Sequence, residues 1–300
     1  MVSRDFSTWV PVVLDNLPQG TEIQQSVLKA VGMPRPMTSD TMEIPALLGS
    51  DVGGGATLVE DTHDGLKVLL PSYLFTGRHQ LDEAETEDSA ADPIGPITAE
   101  WLSELNVSID AAAFGVTGAR STTATDYRPY NSVYYRVRNS DADTGYTADT
   151  NYVSGAVTYA HLSQTLSKLE ESRYWAESGL VIVAHPSFRH ALRSIVDEND
   201  RPIFISANGS VAQDTLFDHP IRWSLGAKTC TTYKRTTVGN PLLIPINRRY
   251  LAYGARVAPQ TRMIPAAQNP DELAHVLQHR SRDGMTLTVP GAAAVFEKTS

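Results

Sequence analysis

A short stretch near the middle of the chain gathers side chains that take part in hydrolytic catalysis. The sequence VIVAHPSFRHALRSIVDENDRPIF contains His, Ser and Asp residues. A serine hydrolase needs an exposed hydroxyl beside a histidine base, often on a G-x-S-x-G turn after a strand. Ser187 and His190 have a spacing that brings side chains together on a helix, but the sequence has no such turn motif. We therefore expect the stretch to be architectural and no residue of the chain to be catalytic.

The pattern around these residues predicts a strand and then a helix. Leu180–Ala184 is an unbroken apolar run, which is typical of a strand buried on both faces. A helical apolar stripe follows Pro186 and ends at a turn at Asn199 and Asp200. Its members are Phe188, Ala191, Leu192, Ile195 and Val196. The side chains outside the stripe, expected to face solvent or a neighbour, are Ser187, His190, Arg193 and Asp197.

Other segments complete an α+β pattern. Apolar residues recur every fourth position from Ile97 to Ala113, which predicts a helix of about five turns over 97–115. A second helix is predicted from Tyr159 to Leu169, and a long β-hairpin from Thr38 to Gln80. Residues 115–155 form a long loop in which YRPYNSVYYRVRN is expected to be extended. Short extended segments fill the last third of the chain.

Candidate ligand-binding groups are few. The only cysteine, Cys230, is expected to be a half-buried strand residue, and no disulfide can form within the chain. Neither H-E-x-x-H nor C-x-x-C occurs, so we expect no metal site and no cofactor. An acidic cluster precedes the long helix; it is interpreted as a solvated or subunit-facing surface, with a divalent-cation site as the alternative. Its members are Asp82, Glu83, Glu85, Glu87, Asp88 and Asp92.

Charge is distributed unevenly along the 300 residues. The net charge is −9, but residues 1–150 carry 9 Lys and Arg against 22 Asp and Glu, while the remainder carries 16 against 12. An acidic chain gains little from the counterion release that drives DNA binding. Arg128, Arg136 and Arg138 lie among tyrosines, but also among aspartates, which favours a protein-contact surface over a base-stacking platform. Opposite charge on the two halves favours head-to-tail association of copies.

Composition also limits the compartment. Hydrophobic residues make up 41% of the chain, enough for a substantial core. No run approaches the roughly 18 apolar residues of a membrane span, and one cysteine gives no sign of an oxidising compartment. We expect a soluble protein of the cell interior with no membrane partner.

The order of motifs resembles a known family. A strand ending in His185-Pro186, a helix, and the turn DENDRPIF are similar to the A-domain of tailed-bacteriophage major capsid proteins with the HK97-like fold. The closing run Arg282-Asp-Gly-Met-Thr-Leu-Thr-Val-Pro-Gly-Ala292 is close to the run that ends the P-domain of that family. The resemblance covers essentially the whole chain.

The resemblance implies a division of the chain. Residues 1–37 would be an N-terminal arm, and 38–81 an E-loop hairpin that lies across a neighbouring subunit. The P-domain would comprise 82–177 and the return strands 265–300, with a spine helix at about 97–115. The A-domain would be 178–264. The implied function is a major capsid protein that assembles as pentamers and hexamers into an icosahedral phage head around double-stranded DNA, with no enzymatic role.

The resemblance also implies partners and a location. We expect a separate scaffolding protein, because the chain starts at Met1 close to the arm, together with a portal and a decoration protein. DNA contacts would be weak and non-specific, and the protein would occupy the virion after assembly in the host cytoplasm. Some relatives form an isopeptide bond; Lys67 is a possible donor, but His275–Arg282 contains neither Asn nor Glu, so no crosslink is expected. The alternative is an encapsulin-type shell that holds cargo enzymes.

Overall fold

The computed structural model describes most of the chain. The described residues are 23–47, 65–82, 94–123, 126–196, 202–206, 213–234, 238–265 and 274–299. The helices are α1 (Val27–Val31), α2 (Ile94–Phe114), α3 (Val133–Arg138), α4 (Tyr159–Glu170) and α5 (Phe188–Ser194). The first strands are β1 (Met33–Pro34), β2 (Thr41–Leu47), β3 (Gly65–Asp82), β4 (Ser121–Thr123), β5 (Asp126–Arg128), β6 (Tyr152–Gly155) and β7 (Leu180–Ala184). The remaining strands are β8 (Phe204–Ile205), β9 (Thr215–Leu216), β10 (His219–Trp223), β11 (Leu242–Asn247), β12 (Leu251–Ile264), β13 (Ala274–Leu287) and β14 (Val295–Lys298).

The chain divides into two compact units. The smaller contains the described parts of Thr76–Ser103 and Pro259–Arg280. The larger contains the described parts of Gln24–Phe75, Glu104–Ala258 and Ser281–Ser300. The boundaries fall within α2, β3, β12 and β13, which therefore contribute residues to both units. Among the described helices, none has the length and apolar character needed to cross a membrane.

A seven-stranded sheet organises the core of the larger unit, in the order β6-β14-β11-β7-β10-β9-β8. Strand β7 pairs parallel with β10, where Ile182 faces Ile221, and antiparallel with β11, where Val183 faces Ile244. All five residues of β7 are buried, which confirms the prediction from its unbroken apolar run. The core cluster around this sheet comprises Val153, Leu162, Ile182, Ala184, Phe188, Leu192, Phe204, Leu216, Ile221, Leu243 and Phe296.

A five-stranded sheet has the order β1-β12-β13-β3-β2. Strands β2 and β3 pair antiparallel from Thr41 opposite Pro71 to Leu47 opposite Gly65, which confirms the predicted hairpin. The predicted long helix is also confirmed; it runs from Ile94 to Phe114 instead of 97–115. Helix α4 likewise occupies the predicted segment.

Two local predictions were wrong. The segment predicted to be extended from Tyr127 to Asn139 is extended only at its start and then forms α3. The Ser132 hydroxyl caps this helix by accepting a hydrogen bond from the Tyr135 backbone N–H at 3.0 Å. Helix α5 ends at Ser194, well before the predicted turn at Asn199, because the β-branched pair Ile195 and Val196 is extended. Val196 instead forms an isolated antiparallel bridge with Pro202.

Candidate assembly surfaces

The hairpin of β2 and β3 presents an apolar side chain to solvent. Leu69 lies opposite Glu43 in the register and is 53% exposed. Two residues away, the Lys67 ammonium forms an ion pair with the Glu43 carboxylate at 3.3 Å, with both side chains exposed. An exposed pair of this kind contributes about 0–1 kcal/mol to stability. The outer face therefore combines one large apolar side chain with an ion pair that adds little to the fold.

The opposite face of the hairpin is covered unevenly. Near its base, Ile44 and Leu70 are buried and pack with Met37 and Ala252. Further along, Ala46, Leu66 and Val68 are only half-buried. Alternation along a strand places these side chains on the same face as Ile44 and Leu70. The apolar face thus extends beyond the part that the larger unit covers.

A cavity of about 260 Å³ lies beside the hairpin. The Arg120 guanidinium on its wall lies over the ring of Tyr73, 4.9 Å from the ring centroid. Arg136 forms an ion pair with Asp141 at 3.0 Å. The lining residues are Leu66, Lys67, Val68, Leu69, Pro71, Arg120, Pro129, Tyr130, Asn131, Arg136, Asp141, Asp143, Met285 and Thr286. The lining of this cavity, here called the hairpin groove, therefore offers apolar surface and charges of both signs, a combination typical of protein contacts.

The arginines weighed as a base-stacking platform pair with carboxylates of their own chain. Arg128 contacts Asp126 at 2.5 Å, and Arg138 contacts Asp149 at 2.8 Å. The Arg138 guanidinium also lies 4.0 Å from the centroid of the Tyr152 ring. These pairings reduce the positive charge available to a phosphate backbone. They agree with the protein-contact interpretation of this segment.

The end of the predicted N-terminal arm is fastened to the long helix by Asp110. Its Oδ1 accepts hydrogen bonds from the Ser26 hydroxyl at 2.6 Å and the Leu28 N–H at 3.0 Å. Its Oδ2 accepts from the Val27 N–H at 2.9 Å and the Ser224 hydroxyl at 2.6 Å. Burial raises the pKa of Asp110, and these four hydrogen bonds oppose the rise. Leu28 is fully buried, so this part of the predicted arm belongs to the core.

The candidate hydrolase residues do not form a catalytic pair with one another. Ser187 is the N-cap residue of α5, and its Oγ contacts Nδ1 of His185 at 2.9 Å instead of pairing with His190. The same Nδ1 accepts the Ser187 backbone N–H at 3.2 Å, so the contact belongs to the turn between β7 and α5. Ser187, His190 and Arg193 are exposed, as predicted. Asp197 lies outside the described residues.

Cys230 is more buried than predicted. It is 7% exposed and forms an isolated parallel bridge with Val116, so it is not part of a longer strand. Burial raises the pKa of the thiol to about 12. A thiol that stays protonated at neutral pH is a poor nucleophile.

This burial predicts the reactivity of the thiol. In the folded protein at pH 8, Cys230 is expected to react with iodoacetamide at least tenfold more slowly than a free cysteine of pKa about 8.5, because both thiolate formation and access are suppressed. In urea the rate should rise to that of the free thiol. Mass spectrometry of timed samples measures both rates. Equal rates in native and unfolded protein would show that the thiol is accessible.

Most of the acidic cluster lies outside the described residues. Asp82 ends β3, and the other acidic residues of the cluster lie between the described ranges, as does Gly53–Gly55. Within the described ranges, no group of three or more His, Cys, Asp or Glu residues is placed to hold a metal ion. The cation-site alternative, like the solvated-surface interpretation, therefore concerns residues that lie mostly outside the described ranges.

The residues of the closing run are packed inside the larger unit. The Asp283 carboxylate accepts hydrogen bonds from the Tyr253 hydroxyl at 2.6 Å and the Ser281 hydroxyl at 2.5 Å. A side chain at Gly284 would collide with the carbonyl oxygen of Pro71. Residues Pro290–Ala292 form a buried 3₁₀ turn. Packing around Asp283, Gly284 and Pro290–Ala292 therefore constrains the residue types at these positions of the motif.

The structure contains buried carboxylates that the sequence did not lead us to predict. Besides Asp110, the Glu297 carboxylate accepts hydrogen bonds from the hydroxyls of Tyr134 at 2.8 Å and Tyr152 at 2.7 Å and from the Asn240 amide at 2.5 Å. Burial alone would raise the pKa of Glu297, but the hydrogen bonds outweigh it and the pKa is lowered. One signal was present in the sequence, since Asp110 is the only polar residue between Ile109 and Phe114.

Comparison with solved structures gives matches over the full length of the chain. A chain from Microbacterium phage Oxtober96 has a TM-score of 0.70 at 13% identity, covering 99% of this chain and 100% of that one. A chain from Mycobacterium phage Bobi has a TM-score of 0.70 at 12% identity, with 98% and 97% covered. The capsid of the native GTA particle, computed with C5 symmetry, gives 0.66 at 13% identity, with both chains covered completely.

In sequence comparison, no family model and no curated protein matches the chain. The structural matches nevertheless include both the hairpin and the long helix, since they extend over nearly every residue. A match of this extent at such low identity establishes the fold and leaves the function to be argued separately. The chain has the HK97-like α+β fold that its order of motifs predicts.

Proposed function

We propose that the chain is the major capsid protein of a tailed phage. It would self-assemble as pentamers and hexamers into an icosahedral head that encloses double-stranded DNA, and its location would be the virion. The observation that carries the proposal is the full-length match to the capsid of the native GTA particle and to chains from phages. A match over all elements supports shell formation because the extensions are matched together with the core.

The uncovered hairpin surface supports association of sister copies. Leu69 is exposed on one face, and the apolar face beyond Ile44 and Leu70 is incompletely covered. A stable protein–protein interface buries roughly 1,600 Å² in total, and its core is apolar. The hairpin and the hairpin groove offer the apolar core and the polar rim of such an interface. We propose that a sister copy covers them in the shell.

The domain boundaries are part of the proposal. We assign residues 1–37 to an N-terminal arm, 38–81 to the E-loop, 82–177 and 265–300 to the P-domain, and 178–264 to the A-domain. Within the proposed arm, the side chains of Val27, Leu28 and Val31 are buried in the larger unit.

The proposed partners follow from charge and from the shell itself. A chain with net charge −9 is suited to enclose DNA without gripping it, so DNA contacts would be weak and non-specific. A separate scaffolding protein, a portal and a decoration protein remain predictions, as does assembly in the host cytoplasm. No enzymatic role is proposed, because the Ser187 hydroxyl contacts His185 within a local turn.

The second candidate is an encapsulin-type shell with enzyme cargo. It is less favoured because the three similar structures described above come from phages and from a GTA particle. Electron microscopy of particles made by the full chain, produced with its neighbouring genes, tests both. A DNA-filled icosahedral head supports the capsid proposal, whereas a small DNA-free shell around an enzyme supports the alternative. A protein that stays monomeric at high concentration under assembly conditions contradicts both.

No covalent crosslink is expected between subunits of the shell. Lys67 already pairs with Glu43, and His275–Arg282 offers no asparagine to accept its amine. Assembled particles boiled in SDS should therefore give one band at the chain mass of 32.7 kDa. A ladder of multiples that survives boiling and reducing agent would overturn this expectation.

A further inference from the structure

The smaller unit contains a buried histidine. His279 of β13 is 1% exposed, and its Nδ1 lies 2.9 Å from the hydroxyl oxygen of Thr261 on β12. Its other ring nitrogen, Nε2, is buried and has no hydrogen-bond partner among the described residues. The indole of Trp101 on α2 stacks on the imidazole, with ring centroids 4.7 Å apart and planes 16° apart.

A second histidine faces the first. His79 of β3 approaches His279 edge to face, with ring centroids 5.3 Å apart. Gly77, on the same strand, lets the indole of Trp101 lie directly on the backbone, because a side chain there would collide with that ring. The groups that meet His279 are thus His79 from β3, Thr261 from β12 and Trp101 from α2. Of these neighbours, only His79 carries an ionisable side chain.

Protonation of the His279 ring is unfavourable in this arrangement. A protonated imidazole carries a hydrogen on both nitrogens, and His279 has a single acceptor, the Thr261 hydroxyl. The second N–H would be buried without an acceptor, and the charge would lie beside His79. A buried donor without a partner and a buried unpaired charge both disfavour the folded state.

We propose that His279 forms an acid-responsive switch, in which proton uptake by its buried ring loosens the packing of Trp101 against the strands of the smaller unit. The proton comes from solvent, and no covalent bond changes. The switch does not depend on the proposed shell function, because it concerns the stability of one unit.

The direction of the effect follows from the pKa of His279. Burial, and then the neighbouring His79, lower this pKa from its usual value of 6.5. A group whose pKa is lower in the folded state stabilises the fold fully above the unfolded pKa. That stabilisation is lost as the pH falls from about 6.5 towards the folded pKa, by up to about tenfold in the folding equilibrium constant per pH unit.

Unfolding of the full chain in urea between pH 7.5 and 5.0 tests the switch. The wild-type protein is expected to lose stability below pH 6.5, and His279→Phe, which keeps a flat ring against Trp101, should lose up to about tenfold less per pH unit. His190→Gln, which changes an exposed histidine of α5, is the matched control and should follow the wild type. Equal pH dependence in His279→Phe and the wild type would overturn the proposal.

A second measurement needs no variant. Hydrogen–deuterium exchange at the imidazole C2 position, followed by mass spectrometry across pH, gives the titration midpoint of His279. A midpoint below 6.5, with faster amide exchange in Ile94–Ser103 at acid pH after correction for the intrinsic rate, supports the switch. A midpoint at or above 6.5, or unchanged protection of that helical segment, would refute it.

Discussion

Replacing Asp110 with alanine is expected to lower the free energy of unfolding by about 3–5 kcal/mol. The substitution removes the acceptor for two hydroxyls and two backbone N–H groups, those of Ser26, Ser224, Val27 and Leu28. A buried donor left without an acceptor costs about 1–3 kcal/mol, and the hydroxyls can recover part of this by rotating. Urea unfolding followed by circular dichroism measures the loss.

A control variant distinguishes the loss of the Asp110 hydrogen bonds from a general effect of removing a negative charge. Asp143→Ala removes an exposed carboxylate and should change stability by no more than about 0.5 kcal/mol. Amide exchange in Val27–Val31 should accelerate in Asp110→Ala before it does elsewhere, because α1 loses its fastening to α2. A loss below about 1 kcal/mol for Asp110→Ala would mean that the four hydrogen bonds contribute little.

Replacing Leu69 with aspartate is expected to block assembly and leave the subunit folded. The side chain is 53% exposed in the subunit, so its replacement removes little of the chain's own packing. In the shell, we propose that a sister copy covers this position, and an unpaired carboxylate buried there costs several kcal/mol per contact. The concentration needed for assembly should therefore rise by at least about tenfold.

Sedimentation velocity measures this effect, and circular dichroism verifies the fold. Leu69→Met is the matched control because it keeps an apolar side chain of similar volume, and it should assemble like the wild type. Assembly of Leu69→Asp at the wild-type concentration would place this side chain outside any subunit contact.

The elements that sequence could predict are those with long, regular patterns. Leu180–Ala184 has no polar residue, and the stripe from Ile97 to Ala113 persists for several turns, so each pattern allowed one interpretation. Helix α3 could not be predicted in this way. Its six residues, VYYRVR, are β-branched, aromatic or basic and favour a strand locally. The Ser132 cap and the burial of Val133 and Val137 decide the outcome instead.

Long-range contacts and exposed surfaces were harder to predict than the helices and strands. Ser26 and Asp110 are 84 residues apart in sequence, and Tyr134 and Glu297 are 163 apart. No local pattern connects such partners, because their contact follows from the tertiary fold. The same holds for His279, whose spacing on β13 gives no sign that Trp101 and His79 enclose it. Leu69 was also not identified from the sequence, because alternation in a predicted hairpin assigns every second residue to a common face without showing which face is exposed.

Crosslinking of particles assembled from isotopically light and heavy chains shows whether sister copies cover the hairpin of β2 and β3. If sister copies cover the hairpin, a lysine-specific reagent should join Lys67 to lysines of other copies, and light–heavy pairs should be about as frequent as same-isotope pairs. If every crosslink from Lys67 joins residues of a single chain at high protein concentration, the hairpin folds back on its own subunit and the account of assembly is wrong.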